Sequence, residues 1–416
     1  MMDALRVNGE RMRASFEALS AIGATPEGGA HRPALGEAHL AARRWFREAA
    51  LADGFEVRVD GAGNHSACLP CGQTEAKTLL LGSHLDSVPQ GGRFDGALGV
   101  VCALEVLRTV DEMGIVLPVD LEAIDLTDEE GAHVGLMGSR ALTGRLLEAD
   151  LAPHGDVEAF DAALRRAGLT REGILCAKRD PGTLAGYLEV HIEQGPRLAQ
   201  AGIDIGVVTH IVGIRWLRLR FAGEANHAGT TPMADRRDAA QGASAFVLKA
   251  RETVLRDFEG CVANVGRMVL TPGAFNVIPG EVEVSLEFRS PEVGQLERLG
   301  EVLLDLARAQ AERFGLELEA TPVEAIPPAP MDQGVQDALS GAAEALGLTH
   351  VSLASGAGHD AQSFAGRCPV GMVFVPSVGG ISHSPKEFTR WEDCVNGASV
   401  LLNGVLHLVG GNGEER

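Results

Sequence analysis

Four short apolar segments of this 416-residue chain each run into residues able to hold a cation or move a proton. Thr78 to Gly82 (TLLLG) leads into Ser83-His84-Leu85-Asp86, and Val119 to Thr127 (VDLEAIDLT) into Asp128-Glu129-Glu130-Gly131. Gly186 to Val190 (GYLEV) leads into His191-Ile192-Glu193-Gln194-Gly195, and Gly371 to Val375 (GMVFV) into a glycine-bearing loop with Ser382-His383-Ser384-Pro385. Asp95 lies in a further loop, Gly91-Gly92-Arg93-Phe94-Asp95-Gly96. Carboxylates gathered in one place repel one another unless a cation neutralises them. Mixed imidazole and carboxylate ligation suits Zn, Mn, Ni or Co. The predicted arrangement is two divalent ions, one on His84, Asp95 and His191, the other on Asp95, Glu130 and His383, with Asp95 shared. Asp86, two residues past His84, is expected to hold the free ring nitrogen of that histidine. Glu129 is left unligated as general base toward a water activated by the ions. Neighbours on a strand end face opposite ways, so Glu130 can bind metal while Glu129 addresses substrate. Any one of these residues alone reads as an ordinary core or surface group. Their recurrence at consecutive strand ends is harder to attribute to chance.

The elements that must position these residues follow from periodicity. Amphipathic helices are predicted over Gly9–Ile22 and Gly36–Asp53, the second ending before Gly54. Beyond them the four apolar segments read as strands, alternating with helices over Ala97–Met113 and Trp391–Val409. Such alternation predicts an α/β domain with a largely parallel sheet covered on both faces, and open α/β sheets bind ligands along the edge where their strands end. The middle of the chain differs. Arg215–Phe221 (RWLRLRF) and Glu281–Phe288 (EVEVSLEF) alternate apolar with polar, the mark of a sheet with one buried face. With helices over Ala234–Phe258 and Pro291–Phe314 and strands at Cys261–Leu270 and Leu316–Thr321, the order is β-α-β-β-α-β, the ferredoxin-like pattern. The expected organisation is a catalytic α/β domain in two parts, 1–212 and 326–416, with an α+β domain inserted at 213–325. The run Ile326-Pro327-Pro328-Ala329-Pro330 is expected to be the return linker.

Composition narrows the partners. Net charge is −21, which argues against nucleic acid or an anionic membrane. No stretch approaches the ~20 apolar residues of a membrane span, and the segment Met1–Arg13, with Asp3, Arg6, Glu10 and Arg11, lacks the apolar core of a signal peptide. A cytoplasmic protein is expected. Of seven cysteines only Cys68 and Cys71 form a C-x-x-C, with no second pair nearby, so both read as reduced bystanders.

Six segments carry a family resemblance: GSHLDSV (82–88), GGRFDGALGV (91–100), DEEG (128–131), HIEQGP (191–196), HAGTTPM (227–233) and SHSPKEF (382–388). Together they resemble the M20-type amidases of the hydantoinase/carbamoylase group, which includes N-carbamoyl-L-amino acid hydrolases, allantoate amidohydrolases and β-ureidopropionases. The likeness covers nearly the whole chain, starting at Asn8-Gly9-Glu10-Arg11 and including Ala62-Gly63-Asn64 and Ser355–Ala361. HIEQGP and HAGTTPM separate the ureido-cleaving branch from the peptidases, which commonly carry an acidic residue in place of His191. The resemblance implies a di-metal amidohydrolase whose inserted domain serves as lid and dimerisation surface. Its substrate would be a small ureido compound bearing a carboxylate. It further implies that Gln194 contacts substrate and that His227 stabilises the oxyanion, in this family often from a partner subunit. Asn276 and Arg289 would bind the substrate carboxylate. Arg289 continues the polar face of Glu281, Glu283, Ser285 and Glu287, where a guanidinium suits a carboxylate. Gly356 and Gly358 would offer backbone N–H groups to it. Ala132-His133-Val134, Glu287-Phe288-Arg289 and His210 depart from the family pattern without touching a predicted metal ligand.

Overall fold

A computed structural model describes residues 4–151 and 157–410. The opening residues Met1 to Asp3, part of the N-terminal segment read above, lie outside it. Thirteen strands occur among the described residues. They are β1 (Glu56–Val59), β2 (His65–Leu69), β3 (Thr78–His84), β4 (Asp120–Leu126), β5 (Leu184–Ile192), β6 (Ile205–Ile211) and β7 (Gly213–Ala222). Then follow β8 (Val262–Thr271), β9 (Glu281–Ser290), β10 (Glu317–Ile326), β11 (Ala329–Pro330), β12 (His350–Ser355) and β13 (Val370–Val375). The chain divides into two compact units, Met1–Thr209 with Pro330–Arg416, and His210–Ala329.

The larger unit is built on a nine-stranded sheet of order β1-β2-β4-β3-β5-β13-β6-β11, with β12 paired to β6. The four central strands β4, β3, β5 and β13 are parallel. Towards both edges pairing turns antiparallel: β1 with β2, β2 with β4, and β13 with β6. The sheet is therefore mixed rather than largely parallel. The few residues between β1 and β2 are too short for a parallel crossover and can close only a hairpin. Parallel central strands bury both faces, and β13 is buried along its whole length. The helix Ala97–Glu112 is buried from Ala97 to Val110 and packs on β3 and on the helix Trp391–Gly410. Its one buried acid, Glu105, accepts from Arg11 Nε at 3.0 Å, which satisfies a charge that burial would otherwise strand.

The smaller unit is a four-stranded sheet of order β10-β7-β9-β8, every neighbouring pair antiparallel, with the helices Ala239–Asp257 and Val293–Arg313 on one face. Its core is the alternate set Leu217, Leu219 and Phe221 on β7 with Val282, Val284, Leu286 and Phe288 on β9. The first helix starts at Ala239, later than periodicity suggests, because the Asp238 side chain caps it through the N–H groups of Ala240 and Gln241. The expected return linker is largely structured: β10 runs to Ile326, and Ala329–Pro330 forms the last strand of the larger sheet.

Candidate active site

Parallel pairing places the ends of β3, β4 and β5 side by side, and the predicted donors meet there. His84 closes β3 and His191 is the penultimate residue of β5; both side chains are 1% exposed. Their ring nitrogens are already sorted. His84 Nδ1 lies 3.1 Å from the Asp86 carbonyl oxygen, and His191 Nδ1 lies 2.9 Å from that of Ile192. A carbonyl only accepts, so both Nδ1 atoms carry the proton; His84 Nε2 has no hydrogen-bond partner and is left for a Lewis acid, whereas His191 Nε2 accepts from Gly96 N at 3.3 Å. Asp95 Oδ1 sits 3.2 Å from His191 Nε2 and 3.6 Å from His84 Nε2. The ligand atoms of His84, Asp95 and His191 all lie within 4.8 Å of one another. Gly96, next in the chain, has φ 62° and starts the helix Ala97–Glu112; a side chain there would overlap the His84 ring.

A second group shares Asp95. Its Oδ2 lies 3.6 Å from His383 Nε2, and that nitrogen is 3.4 Å from Glu130 Oε2; these three ligand atoms again fall within 4.8 Å of one another. A third trio, Glu189, His191 and His359, is equally close. There the polar atoms are engaged: Glu189 accepts from Ser83 Oγ at 2.7 Å, Tyr187 at 3.1 Å and Ala361 N at 3.2 Å, and His359 Nε2 meets Ser355 Oγ at 2.8 Å. It reads as a hydrogen-bonded floor beneath the site.

Two expectations change in detail. The Asp86 carboxylate is 3.7 Å from His84 Nδ1, too far for a hydrogen bond, because the backbone carbonyl of Asp86 already holds that nitrogen. It accepts instead from Glu129 N at 3.4 Å and Glu130 N at 3.2 Å, tying the acidic loop down. Nor do Glu129 and Glu130 sit on a strand end. β4 stops at Leu126, Asp128 adopts φ 57°, and its carboxylate accepts from His133 N at 3.0 Å and Val134 N at 2.6 Å. The loop, not strand alternation, separates the two glutamates: Glu129 Oε2 lies 3.6 Å from His84 Nε2 while Glu130 faces His383.

The electrostatics are those of a cation site. Burial raises Asp86 to about 6, Asp128 to about 7 with the Asp86 charge adding to it, and Glu130 to about 9 with Asp95 and Asp86 adding to it. Glu129 is pushed well above the carboxylate range by burial, then by Glu130, Asp360, Asp95 and Asp86. Asp95 goes the other way: burial opposes ionisation, but the charges of His191, His84 and His383 hold it well below its ordinary value. For His191, burial lowers the pKa, yet Asp95 overcomes this and raises it to about 9. The His191 imidazole takes up a proton against Asp95 unless a stronger Lewis acid replaces it, whereas burial lowers the pKa of His84.

Residues 80–407 match the Peptidase family M20/M25/M40. The chain belongs to that family. Within it the chain groups with the hydantoinase/carbamoylase amidases. An amidase of that group from Burkholderia multivorans superposes with TM-score 0.89 at 36% identity, covering 97% of this chain and 98% of that one. An N-carbamoyl-L-amino acid amidohydrolase of Geobacillus stearothermophilus is 37% identical over 97% of this chain and 100% of its own. An allantoate amidohydrolase of Bacillus subtilis is 33% identical over 93% and 95%. Like other members of this family, the chain is a hydrolase of C–N bonds.

The remaining residues expected from the M20 pattern fall into two sets. Gln194, at φ 55°, donates from Nε2 to Asp95 Oδ2 at 2.7 Å. Gly356 and Gly358 lie after β12 in ordinary negative-φ backbone. Within the smaller unit, His227 and Asn276 sit on adjoining segments: Ala228 N donates to Asn276 O at 3.0 Å, and His227 bridges Val277. His227 is exposed, and its Nδ1 accepts from Gly229 N at 3.1 Å and Thr230 N at 3.2 Å, which leaves the proton on Nε2. Arg289, on the open sheet face, donates from Nε to Glu287 Oε1 at 2.8 Å.

Sequence reasoning passed over Asp128, Glu189, Ser382 and Glu387. Ser382 and Glu387 flank His383 in SHSPKEF, and their side chains reach Asp95 and its loop. The available signal was a carboxyl four residues beyond a predicted ligand.

Proposed function

We propose that this chain hydrolyses the ureido C–N bond of an N-carbamoyl-L-amino acid, giving the L-amino acid, CO₂ and ammonia. The observation that carries this reading is Glu129, a buried carboxyl 3.6 Å from His84 Nε2 that belongs to neither donor group. A site built only to hold ions has no use for it. Two divalent ions per subunit, Zn, Mn, Co or Ni, would be held by His84, Asp95 and His191 and by Asp95, Glu130 and His383. The donors fit: His84 Nε2 and Glu130 Oε1 are buried without hydrogen-bond partners, and both buried imidazoles are in the ligating tautomer. Such ions supply Lewis acidity, polarising a carbonyl oxygen and bringing the ionisation of water toward neutrality.

The chain's own groups do the rest. Glu129 takes a proton from water as the C–O bond forms at the ureido carbon. It returns that proton to the departing nitrogen as the C–N bond breaks. The products are the amino acid and carbamic acid, which falls apart to CO₂ and ammonia. Nε2–H of His227 offers a donor for the growing oxyanion charge. Arg289 and Asn276, with the backbone N–H groups of Gly356 and Gly358, take the substrate carboxylate, and Gln194 orients the ureido group beside Asp95. The smaller unit serves as lid and dimerisation domain, so that its motion gates turnover in a homodimer. The cytoplasm suits the seven unpaired cysteines.

Allantoate, with the same ureido group beside a carboxylate, is the alternative substrate, supported by the similarity to the Bacillus subtilis enzyme; β-ureidopropionate comes next. The test is one panel: Mn-, Co-, Ni- and Zn-loaded protein against carbamoyl amino acids, allantoate, β-ureidopropionate and N-acetyl amino acids, reading ammonia and free amine. Equal release of ammonia and L-amino acid is expected. Amine from the acetyl compounds without ammonia from the ureido ones would make it an aminoacylase, and no turnover with any ion would leave a binding protein.

A further inference from the structure

The two donor groups are held in different ways. His84 and His191 are 1% exposed and fixed by strand backbone, whereas the His383 side chain is 51% exposed and sits on a loop, at φ 55°. Its packing cannot fix its distance from Asp95. A buried carboxyl that the mechanism does not use spans that gap. Glu387 Oε1 accepts from Phe94 N at 2.8 Å and from Asp95 N at 3.1 Å, gripping the loop of the shared ligand. Its Oε2 lies 3.0 Å from Ser382 Oγ, and the same hydroxyl lies 2.8 Å from Asp95 Oδ2. On its own side, Glu387 N donates to Ser384 O at 3.0 Å, closing the turn Ser384–Glu387 that directly follows His383. The carboxyl rests against bare backbone at Gly92, where any Cβ would overlap it.

We propose that Glu387 is a positioning residue that sets the spacing between the Asp95 loop and the His383 loop, and so determines whether the second donor group, Asp95, Glu130 and His383, holds its ion. This rests on reading the two groups as metal sites. The first group is spared, because strand ends fix two of its three donors. Glutamine serves as well as glutamate in this role: its carbonyl oxygen can accept from Phe94 and Asp95, and its amide can donate to Ser382. Alanine supplies neither.

Titration of the metal-free full chain with Mn²⁺, read as ions bound per subunit and as the affinity of each, tests the proposal without recourse to activity. The native chain is expected to bind two ions. Glu387→Ala is expected to keep the first and to weaken the second by roughly 10–100-fold, the usual consequence of losing a group that orients a ligand. Glu387→Gln should stay within about threefold of the native chain. Ser382→Ala, which removes the hydroxyl between Glu387 Oε2 and Asp95 Oδ2 but leaves the grip of Glu387 on the Phe94 and Asp95 N–H groups, should weaken the second ion by about tenfold and gives the answer if Glu387→Ala does not fold. Native affinity at both sites in Glu387→Ala, or in Ser382→Ala where the former does not fold, would overturn the proposal, as would a Glu387→Gln variant as impaired as the alanine. Failure of the native chain to bind any ion would overturn the metal reading itself together with this one.

Discussion

The two units handle charge in opposite ways. On the open face of the smaller sheet, acids and bases alternate across strands and stay in water: Arg220 meets Glu281 at 2.6 Å and Arg267 meets Glu283 at 2.9 Å, all at least one-third exposed. Around the strand ends of the larger unit, Asp86, Asp95, Asp128, Glu129 and Glu130 are taken out of water together, and Asp95, Glu129 and Glu130 face imidazoles. Hydrated pairs cancel locally and are screened by water. Carboxyls gathered out of water have their pKa values displaced in both directions, which is the condition for binding cations and moving protons. A net charge of −21 says nothing of where either arrangement lies.

The contrast is most sharply tested at Glu129. Glu129→Gln should retain its ions by elemental analysis and lose on the order of 10²–10⁴-fold in kcat, the range for a positioned acid–base group; an active variant would remove the base from the mechanism. In the smaller unit the largest effect should come from the core. Phe288→Ala should cost about 3–5 kcal/mol in denaturant unfolding, since the ring is buried under the helix Val293–Arg313. Arg289→Met should raise KM by roughly 10–100-fold with kcat little changed, as expected for loss of a charged hydrogen bond that binds ground and transition states alike. A proportional fall in kcat instead would place Arg289 in the transition state.

The pH dependence separates the units further. The raised carboxyls Asp86, Asp128 and Glu130 bind protons more tightly folded than unfolded, where the ordinary value is about 4. Without metal, their contribution to stability is full in acid and is lost as pH rises through about 6, 7 and 9. Divalent ions replace those protons, so the gain in Tm on adding Mn²⁺ should be larger near about pH 8 than near about pH 6. An equal gain at both would contradict the cluster's role. The smallest effect belongs to the exposed ladder: Arg220→Ala should leave the denaturant-unfolding midpoint essentially unchanged.

Much of this was readable from the chain. Apolar segments of five to nine residues located β3, β4, β5 and β13, and the strict alternation of EVEVSLEF gave β9 its buried face. The edges of the large sheet were less legible. β1, β2, β6 and β12 are short or mixed in pattern, and their pairing depends on connection length and neighbours rather than on periodicity.

What the sequence by itself determined is which residues stand at the ends of strands, because strand identity follows from local hydrophobic pattern and the parallel order brings those ends to one edge. That suffices to bring His84 and His191 together and to place the loops of Asp95, Glu130 and His383 at the same edge. Only the tertiary structure decided how each is held. The Asp86 backbone rather than its carboxylate fixes His84, a clasp from Asp128 separates Glu129 from Glu130, and Glu387 reaches back nearly 300 positions to the Asp95 loop. Hydrogen bonds between segments remote in the chain have directions and lengths that no local pattern encodes, since they form only after the packing of the core has set the distances between loops.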